Sequence, residues 1–199
     1  MNWLDLSLSS PAENLALDEA LLNFAESCGD LDCLRFWEPR SPFVVLGYAN
    51  KVSTEVDAAT CERLGIPVLR RCSGGGTVLQ GPGVLNYSLV LRATGHAPLA
   101  SITTANQFIM QRNADALTQL LQGGSGRELA AAVEVQGHTD LAIAGRKFSG
   151  NAQRRKRTHL LFHGAILLNL DLDLLGQLLP MPALQPTYRQ GRSHAAFLT

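Results

Sequence analysis

Cysteine is scarce in this 199-residue chain, aromatic residues are few and charge is thin, and each shortage removes a class of function. The four cysteines, Cys28, Cys33, Cys61 and Cys72, form no CxxC pair and have no histidine at zinc-ligand spacing, so neither a disulfide framework nor a metal site is signalled. Most read as buried thiols serving as small hydrophobes. Only 17% of residues are charged and the formal net charge is zero, so the molecule projects no long-range field toward nucleic acid or an anionic membrane. No window approaches the roughly 18 apolar residues of a membrane span. The start, MNWLDLSLSS, lacks the basic, then apolar, pattern of a secretory signal. The expectation is a cytoplasmic protein with neither nucleic acid nor membrane as partner.

What is present is a core. Apolar residues make up 46% of a chain long enough to bury them, most simply as one domain. Pro11 followed by NLALDEALLNFAE predicts an early helix, with Leu15, Leu17, Leu21, Leu22 and Phe24 near one stripe and Asp18 and Glu19 toward the other side. CLRFW and FVVLGY read as successive strands, and TEVDAATCERLG as a short helix capped by Thr54 and stopped at Gly65. PVLRR, TVLQ and LNYSLVL add strands around a glycine loop, and Ser101 to Gln122 has the apolar spacing of a longer helix before GGSG at 123 to 126, read as a surface loop. VEVQ, DLAIA, RKFSGNAQ and LLFHGAILLNL then predict an antiparallel meander with a tight turn at AGRK, and DLDLLGQLLP a closing helix. Strands and helices interleave without βαβ rhythm, which favours α+β, with a mixed sheet flanked by helices. The run Arg154-Arg155-Lys156-Arg157 reads as a solvated strand or turn ahead of a docking patch for an acidic partner or phosphate.

Two segments have the makings of a reactive site. In Arg70-Arg71-Cys72-Ser73-Gly74-Gly75-Gly76-Thr77, three glycines permit positive φ and close backbone approach to a ligand, and two arginines precede them. Alone, GGG favours an ordinary tight turn; it matches neither GxGxxG nor GxxxxGK[ST]. In the segment from Asp140 to Gln153, Lys147 sits beside a hairpin among small residues, placed to bridge a carbonyl oxygen and a phosphate as charge develops in acyl transfer. The bland reading is a surface lysine. His163, in an apolar strand, is a third candidate, against the commoner role of a hydrogen-bonded structural histidine.

Taken in order, NLALDEALL, LRFWEP, VVLGY, RRCSGGGTVLQGPGVLNYSLVL, TDLAIAGRKFSGNAQRR, HGAILL and QPTYRQGR resemble the lipoate-protein ligase A family of the biotin and lipoate ligase superfamily over nearly the whole chain, 1–199, as one catalytic domain. The resemblance implies a class II aminoacyl-tRNA synthetase/biotin-ligase-like fold with largely antiparallel sheets. It implies activation of lipoate, or octanoate, by ATP with Mg2+ to an acyl-adenylate, then transfer to a lysine of an acceptor. The acceptors it implies are lipoyl domains of dehydrogenase complexes or the glycine cleavage H protein. On that resemblance Lys147 contacts the acyl carbonyl and α-phosphate, and Arg70 approaches the adenylate. Ser73, Gly74, Gly75 and Gly76 line the acyl site, and Thr77 and Val78 lie near the nucleotide. Asn86, Asp140, Gly150 and His163 border the pocket.

The chain also departs from the pattern. No C-terminal accessory domain follows, so adenylation would need a separate accessory subunit, a ready-made acyl donor would replace it, or the natural chain continues beyond Thr199. The related octanoyltransferases, which need a thiolate, are the alternative. Their nucleophile precedes the lysine motif, where ELAAAVEVQGHTD has no cysteine. Cys72 borders the glycine loop and is the remaining thiol there, with an incidental packed role as the simpler account. A non-catalytic lipoate-binding homologue is the third reading.

Overall fold

The computed structural model of the protein describes residues 1–29, 31–123 and 132–199. A seven-stranded sheet runs in the order β1 (Asn2–Asp5), β2 (Cys33–Trp37), β6 (Val84–Arg92), β10 (His159–Leu167), β9 (Arg146–Arg155), β8 (Asp140–Ile143) and β7 (Glu134–Gln136). All its pairings are antiparallel except β1 with β2. A second sheet of three strands has β3 (Phe43–Leu46) between β4 (Val68–Arg70) and β5 (Val78–Gln80), parallel to the first and antiparallel to the second. CLRFW and FVVL are therefore successive in sequence but belong to different sheets.

Strand alternation sorts the core. Along β10, Leu160 and Phe162 pack with Ile109 and Met110 of α4 (Ile102–Gly123), while Leu161 between them packs with Leu22 and Ala25 of α1 (Pro11–Cys28). The large sheet is thus covered by one helix on each face, as a period of two requires. The small sheet shares its core with Leu175 and Leu178 of α5 (Leu172–Leu178) and Phe197 of α6 (His194–Phe197).

Two local expectations are corrected. The buried face of α1 carries Asn14, Asp18, Leu22 and Ala25, whereas Phe24 is exposed. Polar partners on β2 and β6 satisfy Asn14 and Asp18, so the inward stripe is part polar and the hydrophobic pattern alone misassigns it. TEVDAATCERLG forms two short helices, α2 (Val52–Glu55) and α3 (Ala58–Leu64). The second is capped by Asp57, which accepts from the Thr60 amide, and not by Thr54. The stop at Gly65 is as expected, with φ +64. Of the GGSG segment, Gly123 ends α4 and the remainder lies outside the described residues.

Candidate active site

β8 and β9 form a hairpin whose tight turn, Ala144-Gly145, has positive φ at both residues, the geometry that matches strand twist in a two-residue loop. Its register is not regular. Asp140 pairs with Gly150 and Leu141 with Ser149, but Ala142 then pairs with Lys147, leaving Phe148 as an extra residue. In an unbroken ladder Phe148 would oppose Ala142 and Lys147 would fall on the far face. The bulge places Lys147 on the face of Asp140 and Gly150, and its Nζ lies 2.8 Å from Asp140 Oδ1. A Cβ at residue 150 would come within 3.0 Å of that Nζ, so Gly150 leaves the space in which the lysine side chain lies.

Across from the hairpin stands the glycine loop. Gly75 has φ +90, a region that favours glycine. Arg71 binds the loop from within: its guanidinium donates to the carbonyls of Gly74 at 2.6 Å and Gly76 at 2.8 Å, and its Nε to Ser73 Oγ at 3.1 Å. Burial brings this guanidinium down to about 10, which leaves it charged at neutral pH. Gly47, at the end of β3, lies so close beneath that any side chain there would strike the Gly75 carbonyl.

Ser73 is fully buried and connects the loop to the large sheet. Its Oγ lies 2.5 Å from His163 Nε2, and His163 Nδ1 lies 3.6 Å from Asp18 Oδ2. Ser73 Oγ thus accepts from Arg71 Nε on one side and shares a hydrogen bond with His163 Nε2 on the other. Asp18 also accepts from Ser88 Oγ at 2.6 Å and forms a buried ion pair with Arg35 at 2.6 Å. Burial alone would raise the Asp18 pKa, but His163, Ser88 and Arg35 more than offset it and the net shift is downward. The composition is that of a Ser-His-Asp triad, but Ser73 does not line the cavity and its oxygen is engaged on both sides. It braces the loop.

Between loop and hairpin lies a cavity of about 940 Å³. Of the residues singled out from sequence, Gly75, Gly76, Thr77, Val78, Asn86, Asp140, Lys147, Gly150 and His163 line it. Ser73 and Gly74 do not; they support the loop from behind and from outside. Arg70 is also elsewhere: one of its terminal nitrogens donates to the carbonyls of Gly47, Tyr48 and Asn50, fastening the segment after β3, and of the adjacent pair it is Arg71 that lines the cavity. Strand alternation explains the exchange, because neighbours on an extended chain face opposite ways.

Several lining residues carry no role in the sequence reading. Gln80 and Asn86 exchange two amide hydrogen bonds, at 2.8 and 2.9 Å. Tyr87 donates to Asn151 Oδ1 at 2.6 Å and accepts from Asn113, making a rigid wall behind Gly164. Arg189 is buried, 4% exposed; it is hydrogen-bonded to the Arg192 carbonyl, Met181 sulfur and His194 and lies over the Phe197 ring, with no carboxylate among these described contacts. Cys72 does not line the cavity, and burial, then Glu19, pushes its thiol up to about 11. Arg154 stacks over Tyr48, and Arg155 donates to the carbonyls of Leu99, Ala100 and Ser101, so half of the basic run is spent locally.

Comparison with known proteins identifies relatives over nearly the whole chain. The chain is 34% identical to the octanoyltransferase LipM of Carboxydothermus hydrogenoformans over 196 residues, covering 94% of this chain and 72% of that one. It superposes on a crystal structure of lipoate-protein ligase A bound with ATP with a TM-score of 0.76 and 28% identity, covering 98% of this chain and 76% of that one. A bi-partite lipoate protein ligase from Thermoplasma acidophilum gives 0.75 and 26%, covering 98% and 71%. The family model for the lipoyl protein ligase A/B catalytic domain matches residues 10–195. The chain belongs to the lipoyl protein ligase A/B catalytic domain family.

Proposed function

We propose that the protein transfers a lipoyl or octanoyl group to a lysine of an acceptor protein, and that it activates the free acid with ATP rather than passing it through an enzyme thioester. The observation that carries the second part is the cavity wall. Lys147 faces a glycine loop across an apolar-lined space, and no cysteine lines that space among the described residues. A thioester route needs a thiolate. The chain has no cysteine after Cys72, and that thiol is held protonated away from the cavity.

An adenylate route needs positive charge and room. Lys147 supplies the first beside the reacting carboxyl, where it stabilises charge on the carbonyl and phosphate oxygens. Arg189, buried in the same wall without a carboxylate partner among the described residues, fits a phosphate. The cavity volume is at the upper end of small-ligand sites and suits an acyl chain with a nucleotide. Magnesium would enter with ATP, held chiefly by phosphate oxygens and water. The acid's carboxylate attacks the α-phosphorus and pyrophosphate leaves; the acceptor amine then attacks the carbonyl and AMP leaves. The family's lipoyl acceptor domains are the proposed partners, with a separate accessory subunit supplied where adenylation requires one.

The second reading is an octanoyltransferase using a ready-made acyl donor, as the name of the LipM relative indicates for that protein. One assay separates them. Octanoate or lipoate with ATP and magnesium should release pyrophosphate and acylate an apo-acceptor domain. Acylation from octanoyl carrier protein without ATP, and none from the free acid, would establish the transferase instead.

A further inference from the structure

The segment after α5 returns to the cavity wall, and Tyr188 in its QPTYRQGR stretch has no role so far. Its path is tied to the β8–β9 hairpin at three places. Arg192 donates to the Gly145 carbonyl at 3.1 Å and to the Tyr188 carbonyl at 2.8 Å. Arg146 donates to the Leu198 carbonyl, and the Thr199 amide donates to the Lys147 carbonyl at 3.0 Å. Tyr188 packs its ring on Phe197, centroids 5.1 Å apart, and lines the cavity. Its hydroxyl donates to Asp140 Oδ2 at 2.8 Å, while the other oxygen of the same carboxylate holds Lys147 Nζ at 2.8 Å.

We propose that Tyr188 is a positioning residue for Lys147: through its hydrogen bond to Asp140 it sets how firmly that carboxylate holds the lysine ammonium. A carboxylate that accepts a hydrogen bond on one oxygen presents less negative charge on the other. With the tyrosine in place, Lys147 is aligned by Asp140 yet free to turn toward an incoming carbonyl or phosphate. Without it, the carboxylate grips the ammonium alone. Tyr188 is suited to donate because burial, and then the Asp140 charge, hold its phenol well above the ordinary range, so it stays protonated. The backbone ties fix its position before any ligand enters, and that is the condition for a supporting contact to be effective. The inference rests on the proposed role of Lys147.

The test is trace labelling with acetic anhydride at pH 8, followed by peptide mass spectrometry. The chain has three lysines, and the exposed Lys51 and Lys156 serve as internal references. Tyr188→Phe keeps the ring on Phe197 and should lower labelling of Lys147 relative to both references by roughly threefold, the scale of a weakened charged hydrogen bond. Asp140→Asn should raise it, and adding Tyr188→Phe to that variant should change nothing further. An unchanged ratio in Tyr188→Phe overturns the proposal. So does an equal fall in the Asp140→Asn background, which would mean an effect through packing. Labelling needs no turnover: a lowered ratio in a protein that transfers no acyl group upholds the positioning role and sinks the assigned activity, and an unchanged ratio in an active protein does the reverse.

Discussion

Asp18 on α1 and His163 on β10 face each other with 3.6 Å between Oδ2 and Nδ1, and through this contact the helix reaches the glycine loop. Arg35 lies on the other side of Asp18, 0% exposed, and also donates to the Asn14 and Leu6 carbonyls. An apolar α1 face would have been simpler to bury; the polar one links loop, sheet and helix in one network.

Removing one end of that network should be costly. Arg35→Leu leaves the Asp18 charge buried without its ion-pair partner, and about 3–5 kcal/mol of stability should be lost in urea unfolding. The double variant Arg35→Leu with Asp18→Leu should lose less than the single one, because no charge is stranded.

Acid should weaken the fold through two carboxylates. Glu26 is brought down from 4.5 to about 2, chiefly by the Thr158 hydroxyl, and Asp18 is lowered from 3.8. A depressed folded-state pKa means that the unfolded chain takes up its proton first, so the contribution is complete above the unfolded values and is lost as pH falls. Melting temperature should therefore hold above about pH 5 and drop below 4.5 toward 2, and Glu26→Gln should flatten that drop. A variant with the same acid slope as the parent would remove Glu26 from the explanation.

Gly164→Ala should damage the site wall. A methyl there runs into the Asn151 carboxamide and the Tyr87 ring, which Asn113 and Thr139 hold in place. The expected loss is about 1–3 kcal/mol by thermal unfolding, together with weakened protection by lipoate against heat.

Lys147→Ala should lower acyl transfer by about 10²–10³-fold, and Lys147→Arg should not restore it, since a planar guanidinium does not replace a compact ammonium beside Gly150. Cys72→Ala should leave transfer within about twofold, measured as acceptor mass gained per minute; a loss as large as that of Lys147→Ala would make the thiol the nucleophile.

Much of the element order was legible because long apolar runs such as LLFHGAILL and LNYSLVL allow few alternatives. The pairing of Lys147 with the glycine loop was legible only through ordered motifs, since the bulge at Phe148 that brings lysine and Asp140 to one face leaves no trace in strand alternation. Asp18 reads as outward-facing in the sequence because its partners Arg35, Ser88 and His163 lie far away along the chain. That Arg71 and not Arg70 lines the cavity follows from a parity that only the sheet supplies. Tyr188 sits in a recognisable motif, but its partner Asp140 lies 48 residues earlier in the chain, so their contact has no local signal.

The central claim is activation of a free acid without an enzyme thiol, and the intact mass of an apo-lipoyl acceptor domain tests it most directly. The Cys72→Ala protein, with lipoate, ATP and magnesium and any accessory subunit supplied, should add one lipoyl group to the acceptor, and should add none when ATP is withheld. Transfer that ignores ATP and vanishes with the Cys72 thiol would contradict the account.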